Sequence, residues 1–125
     1  MRIHHIGYVA NDINAFASGF PGIQLERKVY DPIQKADLAL YLCGKGPRLE
    51  FISPLSPDSF TWAFLKRNGP SIHHICYEGL SCEEVDEVIA AHRLLKVRGP
   101  MLAVLFDREV VFALNRQKSI IEFLL

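Results

Sequence analysis

Apolar and polar residues alternate with a period of two through most of this chain, the pattern of half-buried strands. Arg2–Val9 (RIHHIGYV) reads as a strand, and Asp12–Gly19 as a short helix capped by Asn11 or Asp12. Ile23–Tyr30, Ala36–Cys43 and Arg48–Ser53 follow as strands, divided by Asp31-Pro32 and by the turn Gly44-Lys45-Gly46-Pro47. Pro57–Arg67 reads as a helix stopped at Asn68-Gly69-Pro70. Beyond it, Ser71–Glu78 is a strand, and Ser81 with Glu84 spells the capping box of a helix reaching about Leu94. Four strand-like runs remain: Leu95–Arg98, Met101–Phe106, Val110–Leu114 and Ser119–Leu125, the first two parted by Gly99-Pro100.

The chain also repeats itself. IHHIGY at residues 3–8 returns as IHHICY at 72–77, and LEF at 49–51 is echoed by IEF at 121–123. Two matches in the same order and at nearly the same offset indicate duplicated halves rather than one chance string. The expectation is an α+β fold with two tandem βαβββ modules, about 1–54 and 71–125, joined by a linking helix at 57–67 within a single domain 1–125.

Strand parity then sorts the side chains, because residues i and i+2 share a face. His5 goes with Ile3, Gly7 and Val9, and His74 with Ile72 and Cys76; His4 and His73 fall on the faces carrying Ile and Tyr, which makes them poorer ligand candidates. Glu50 and Glu122 each interrupt an apolar strand, opposite Leu49 and Phe51 in one half and Ile121, Phe123 and Leu125 in the other. Those apolar faces are expected to pack on helices, leaving a carboxylate on the inner side. A carboxylate there costs several kcal/mol, roughly, unless it is paired or bound to a cation. Two His and two Glu, one of each per half, form a plausible ligand set for one divalent ion: Mn, Fe, Co, Ni or Zn. The predicted metal ligands are His5, Glu50, His74 and Glu122.

Composition narrows the partners. The chain has 125 residues, 50% apolar and 22% charged, enough to bury a core without disulfides or a structural metal. Lys plus Arg and Asp plus Glu both number 14, so there is no charge footprint for nucleic acid or an anionic membrane. Cys43, Cys76 and Cys82 form neither a disulfide framework nor a zinc knuckle. The opening MRIHHIGYV lacks the features of a signal peptide, so the expected localisation is cytoplasmic. Among lesser candidates, Cys76 shares parity with His74. Asp37 and Tyr41 are possible proton carriers, and Arg98, Arg108, Arg116 and Lys118 possible anion binders, with no spacing to select among them. Gly44-Lys45-Gly46 joins two strands and is a hairpin turn, not a phosphate loop.

Paired modules that open with an HHIG-like strand and close with an IEF strand resemble the vicinal oxygen chelate (glyoxalase/bleomycin resistance/dioxygenase) superfamily. Within it, LEFISPLSP and FLKRNGPSIHHICYE are most similar to the methylmalonyl-CoA epimerase family. The resemblance implies a curved mixed sheet around a metal-binding cavity, with the four ligands named above. It implies a metal-dependent isomerase or lyase, glyoxalase I-like or epimerase-like, in which Glu122 abstracts a proton alpha to a chelated carbonyl. The implied cofactor is one divalent metal ion. The implied substrate is a small molecule with vicinal oxygens, an acyl thioester among the candidates, and a homodimer is compatible with it. The epimerase's second base would fall near Leu38, where no Glu is present, and FASGFPGI lacks the usual aromatic pair of the first helix. Two other functions compete. A non-haem Fe(II) extradiol-type dioxygenase needs only His5, His74 and one Glu, and Glu50 would fill a position oxygen needs. A metal-free binding or resistance protein of the same fold would not need the ligand set.

Overall fold

The alternating runs become eight strands and three helices in the computed structural model, which describes all of residues 1–125. In chain order these are β1 (Arg2–Val9), α1 (Ile13–Ala17), β2 (Ile23–Asp31), β3 (Ala36–Cys43), β4 (Arg48–Pro54), α2 (Trp62–Asn68), β5 (Ser71–Glu78), α3 (Cys82–Ala91), β6 (Leu95–Ala103), β7 (Arg108–Leu114) and β8 (Ile120–Leu124). All eight strands join one curled sheet in the order β2-β3-β4-β1-β5-β8-β7-β6. β1 and β4 are parallel, as are β5 and β8, while β1 and β5 meet antiparallel at the centre. The two halves are therefore related by an approximate twofold axis between β1 and β5. The α+β class and the curved mixed sheet expected from the sequence are both present. No helix is long and apolar enough to cross a membrane.

Each face of the sheet has its own core. On the outer face, Phe51, Leu49, Tyr41 and Ala39 pack with Ile13 and Phe16 of α1, and Val111, Ala113 and Phe123 pack with Val85 of α3. Asp12 caps α1 by accepting from the Ala15 amide at 2.9 Å. Ser81 and Glu84 complete the expected capping box, with the Ser81 amide donating to Glu84 at 2.7 Å and the Glu84 amide donating to Ser81 at 3.2 Å. On the inner face, Val9, Leu38, Leu40, Ile52 and Leu105 fill one half of the curve, with Leu65 of α2 against them.

Several boundaries differ from the sequence reading: α1 ends at Ala17 rather than Gly19, α3 at Ala91 rather than about Leu94, and β6 at Ala103 rather than Phe106. The helix expected over Pro57–Arg67 begins only at Trp62. Residues 56–59 close an isolated turn instead, in which the Ser59 amide donates to the Ser56 carbonyl and the Ser56 hydroxyl donates to Asp58. Short polar side chains that bond locally compete with a helix in this way. The two runs on either side of Gly99-Pro100 are one strand, β6. β6 is an edge strand, and Gly99-Pro100 falls in the register shift between Arg98 and Met101, outside its paired residues. Gly99 has φ +93°, and a Cβ there would lie 2.3 Å from the Val110 carbonyl oxygen, so only glycine fits.

Candidate metal centre

Four neighbouring strands deliver one side chain each to the middle of the inner face: His5 from β1, Glu50 from β4, His74 from β5 and Glu122 from β8. All four are buried. The two imidazole Nε2 atoms are 3.0 Å apart. His5 Nε2 lies 3.2 Å from Glu50 Oε2 and 3.1 Å from Glu122 Oε2, and the same atoms lie 3.2 and 3.0 Å from His74 Nε2. Glu122 Oε2 is fully buried and, despite these short distances, no donor is directed at it in hydrogen-bond geometry. The four ligand atoms cluster within 4.8 Å of one another.

That arrangement fits a divalent ion. Bonds of about 2.1 Å at right angles separate neighbouring donor atoms by roughly 3.0 Å, close to the separations found here. The donor set, two imidazoles and two carboxylates, matches in charge and chemistry. The local electrostatics agree. Burial alone would lower His5, but the charge of Glu50 and close contact with Glu122 raise it to about 10. Burial would raise the Glu50 carboxyl, yet the charge of His5 and contacts with both imidazoles hold it at about 2. His74 shifts upward and Glu122 downward: burial opposes each shift, and the mutual charge attraction overrides it. Cation and anion balance whether the rings carry protons or an ion takes their place.

Strand parity does not hold for the first histidine of each pair. β1 and β5 are in register except at two points: His4 is an extra residue between the pairs Ile3–Tyr77 and His5–Cys76, and His73 between Gly7–His74 and Tyr8–Ile72. These are symmetric β-bulges, and each turns its histidine onto the inner side. There His4 Nδ1 lies 2.8 Å from His5 Nδ1, and His73 Nδ1 lies 2.9 Å from His74 Nδ1. Burial and the neighbouring imidazolium push His73 down to about 3, and His4 moves the same way for the same causes. Each outer ring is thus a neutral acceptor for the Nδ1–H of the inner one. That bond orients the inner ring and fixes its Nε2 as the free donor. The expectation that His4 and His73 lie on the opposite face is corrected by the bulges, which alternation cannot register.

Gly7 has a similar role by omission. It sits opposite His74 in the ladder, and a Cβ there would lie 2.1 Å from the His74 ring. The imidazole occupies the space that any other residue would fill.

Other candidates sort by face. Asp37 and Tyr41 alternate with Ala36, Leu38 and Leu40, which belong to the inner core, so both point outward; Tyr41 packs among the α1 aromatics. They are excluded as proton carriers at the centre. Cys76 is buried beside His4 and His5, and burial pushes its thiol far up, so it stays protonated and is no nucleophile. Arg108 pairs with Glu78 at 3.2 Å. Arg116 and Lys118 make no ion pair and lie outside the cavity beside the four-residue cluster. Arg98 does line that cavity.

The cavity beside the cluster is about 250 Å³ and is walled by Glu50, His74 and Glu122 but not by His5. The reason lies in the two equivalent turns, where Lys35 (φ 51°) corresponds to Asp107 (φ 53°). The residue before each faces a central histidine. Phe106 stacks on His5 at 5.1 Å and covers that ring, whereas Gln34 stands at the corresponding place in the repeat and lines the cavity that reaches His74. Of the other wall residues, Arg98 was among the candidate anion binders, while Gln34, Thr61 and Phe60 carry no motif in the sequence.

A curled sheet of two βαβββ halves with two His and two Glu at its centre defines a class of protein. The sequence pattern of the Glyoxalase/Bleomycin resistance protein/Dioxygenase superfamily matches residues 4–101, and the chain belongs to that superfamily. Among solved structures, it is similar to a hypothetical protein of Bacillus halodurans C-125, with a TM-score of 0.86, 23% identity, and coverage of 98% of this chain and 92% of that one. It is also similar to methylmalonyl-CoA epimerase from Mycobacterium tuberculosis, with a TM-score of 0.85, 16% identity, and coverage of 98% and 86%. The Streptomyces coelicolor methylmalonyl-CoA epimerase in complex with 2-nitronate-propionyl-CoA gives a TM-score of 0.83 and 20% identity, covering 99% and 93%. At these identities the likeness is one of fold. The uncharacterized protein YqjC of Bacillus subtilis (strain 168) is 30% identical over 79 residues, 61% of this chain. The match spans 56%, a little over half, of that curated relative's length.

Proposed function

We propose that this chain is a metal-dependent isomerase or lyase of the glyoxalase type, acting by proton abstraction alpha to a carbonyl. His5, Glu50, His74 and Glu122 hold one divalent ion, and Glu122 takes the proton. The observation that carries the reading is the convergence of four buried donor atoms, two of them carboxylate oxygens, with Glu122 Oε2 left without a hydrogen-bond donor. The ion supplies Lewis-acid polarisation of vicinal oxygens on the substrate. The chain's own part is to orient both imidazoles through His4 and His73 and to present an unbonded lone pair on Glu122. Ile52, Phe112 and Ile120 keep the cavity partly apolar, which strengthens every charge interaction inside it.

Two-carboxylate epimerisation is a poorer match. The inner positions of β3 are Ala36, Leu38 and Leu40, all apolar, so no second base faces the cavity from that strand. Glu50 and Glu122 are the only carboxylates in its walls. Turnover of methylmalonyl-CoA is expected to be weak or absent.

The test combines metal analysis with isotope exchange. Purified protein should carry about one divalent ion per chain. Glu122→Gln should abolish solvent-deuterium incorporation into any small carbonyl acid or thioester that the wild type labels. Wild-type protein that takes up no ion from Mn, Fe, Co, Ni or Zn would refute the metal reading, and retained exchange in the variant would remove Glu122 as the base.

A further inference from the structure

The cavity holds one positively charged side chain that nothing in the central cluster uses. Arg98 lines it, and no carboxylate pairs with it and no acceptor bonds to it. Its guanidinium lies over the Phe60 ring at 3.5 Å from the centroid. Stacking on an aromatic face fixes the plane of the fork and leaves the in-plane N–H groups free, the geometry that binds a carboxylate or phosphate through two bonds.

The sheet fixes how far this group stands from the centre. Arg98 is opposite Phe112, and Phe112 is opposite Glu122, so the three form one row across β6, β7 and β8. Strands lie about 4.8 Å apart, which puts the Arg98 backbone roughly 10 Å from that of Glu122, with the Phe112 ring as an apolar floor between them. Alternation would send Val97 and Arg98 to opposite faces. The register shift between Lys96 and Arg98 makes Val97 the extra residue, so both reach the cavity.

Charge arithmetic gives the group a purpose. Two glutamates neutralise a divalent ion, so the centre has no surplus charge to hold a second, distal anion. Arg98 supplies one positive charge at the far end. In the same cavity, Thr61 Oγ1 is buried and unpartnered, and the Gln34 amide spends one N–H on Asp31 at 3.0 Å and has a second to donate. Buried polar atoms without partners are rare and are commonly satisfied by water or ligand.

We propose that Arg98, held over the Phe60 ring, anchors an oxyanion at the end of the substrate remote from the four-donor cluster. The substrate is then a small acid with vicinal oxygens at one end and a carboxylate or phosphate at the other. Its body fits the cavity of about 250 Å³. The proposal rests on the metal-centre reading for the near end of the substrate and on Arg98 alone for the far end.

The experiment compares two ligand pairs by calorimetry on metal-loaded and metal-free protein, with metal content measured on each sample. Lactate and malate differ in a distal carboxylate; glycerate and 3-phosphoglycerate differ in a distal phosphate. In one pair, the member with the distal anion should bind metal-loaded wild type roughly 10- to 100-fold tighter, the range of a two-bond charged contact. The pair that shows the preference identifies the anion. Arg98→Gln should abolish the preference while leaving lactate binding and metal content unchanged, and Arg98→Lys should restore only part of it. Equal affinities within both pairs, or a preference that survives Arg98→Gln, would overturn the proposal. An Arg98-dependent preference in protein that takes up no metal would instead remove the metal reading and leave the oxyanion subsite standing.

Discussion

Gly7→Ala tests the centre without touching a ligand. The added Cβ would lie 2.1 Å from Cε1 of His74 and 2.5 Å from each ring nitrogen, whereas ordinary contact begins at 3.4 Å. The ring, or strand β1 beneath it, must therefore retreat by at least 1.3 Å, the difference between 3.4 and 2.1 Å. Metal–ligand distances tolerate only about 0.2 Å of error, so His74 would be lost from the set or held badly out of place. Perturbing a supporting residue typically costs roughly 10- to 100-fold in metal affinity, and displacing a ligand outright should reach at least the upper end. Overpacking itself costs about 1–3 kcal/mol, which a fold with this much buried sheet should survive. Competition titration against a chromophoric chelator, with a thermal melt on the same sample, reads both quantities. Gly46→Ala is the control, since its Cβ would meet the Cys43 carbonyl at an ordinary 3.6 Å. A folded Gly7→Ala protein with wild-type metal affinity would refute the placement of His74.

The bulges make a second, independent prediction. His73→Ala should keep the stoichiometry of the bound ion but weaken its affinity by roughly 10- to 100-fold, while His74→Ala should lose most occupancy. Unchanged affinity in His73→Ala would reduce that ring to packing. A third concerns pH in metal-free protein, judged by urea midpoints. His5 is raised from 6.5 to about 10, so its contribution is full below pH 6.5 and is lost as pH rises through 10. Glu50 is lowered from 4.5 to about 2, so its contribution is present above pH 4.5 and is lost as pH falls through 2. The His5 and Glu50 contributions are therefore both full between pH 4.5 and 6.5, and a midpoint that climbs from pH 6.5 to 10 would contradict the ion-paired geometry.

What the amino-acid order determined by itself is whatever depends on period and repetition. Alternation marked seven of the eight strands. The two echoes of IHHI and EF revealed the duplicated halves and singled out His5, Glu50, His74 and Glu122, because a repeat places equivalent residues around one axis. The Ser81–Glu84 cap was legible because it closes within a single turn. The tertiary structure alone decided everything that depends on register between strands distant in sequence. The extra residues His4, His73 and Val97 are visible only against a partner strand, and each reverses the face that counting by twos assigns. The vacancy at Gly7 has meaning only once β5 lies beside β1 and the His74 ring needs the space. The choice of Arg98 over Arg108, Arg116 and Lys118, and of a cavity that reaches His74 but not His5, rests on what crosses from one module to the other. Phe60 meets Arg98, and Phe106 covers His5, through contacts made long after the local pattern has ended.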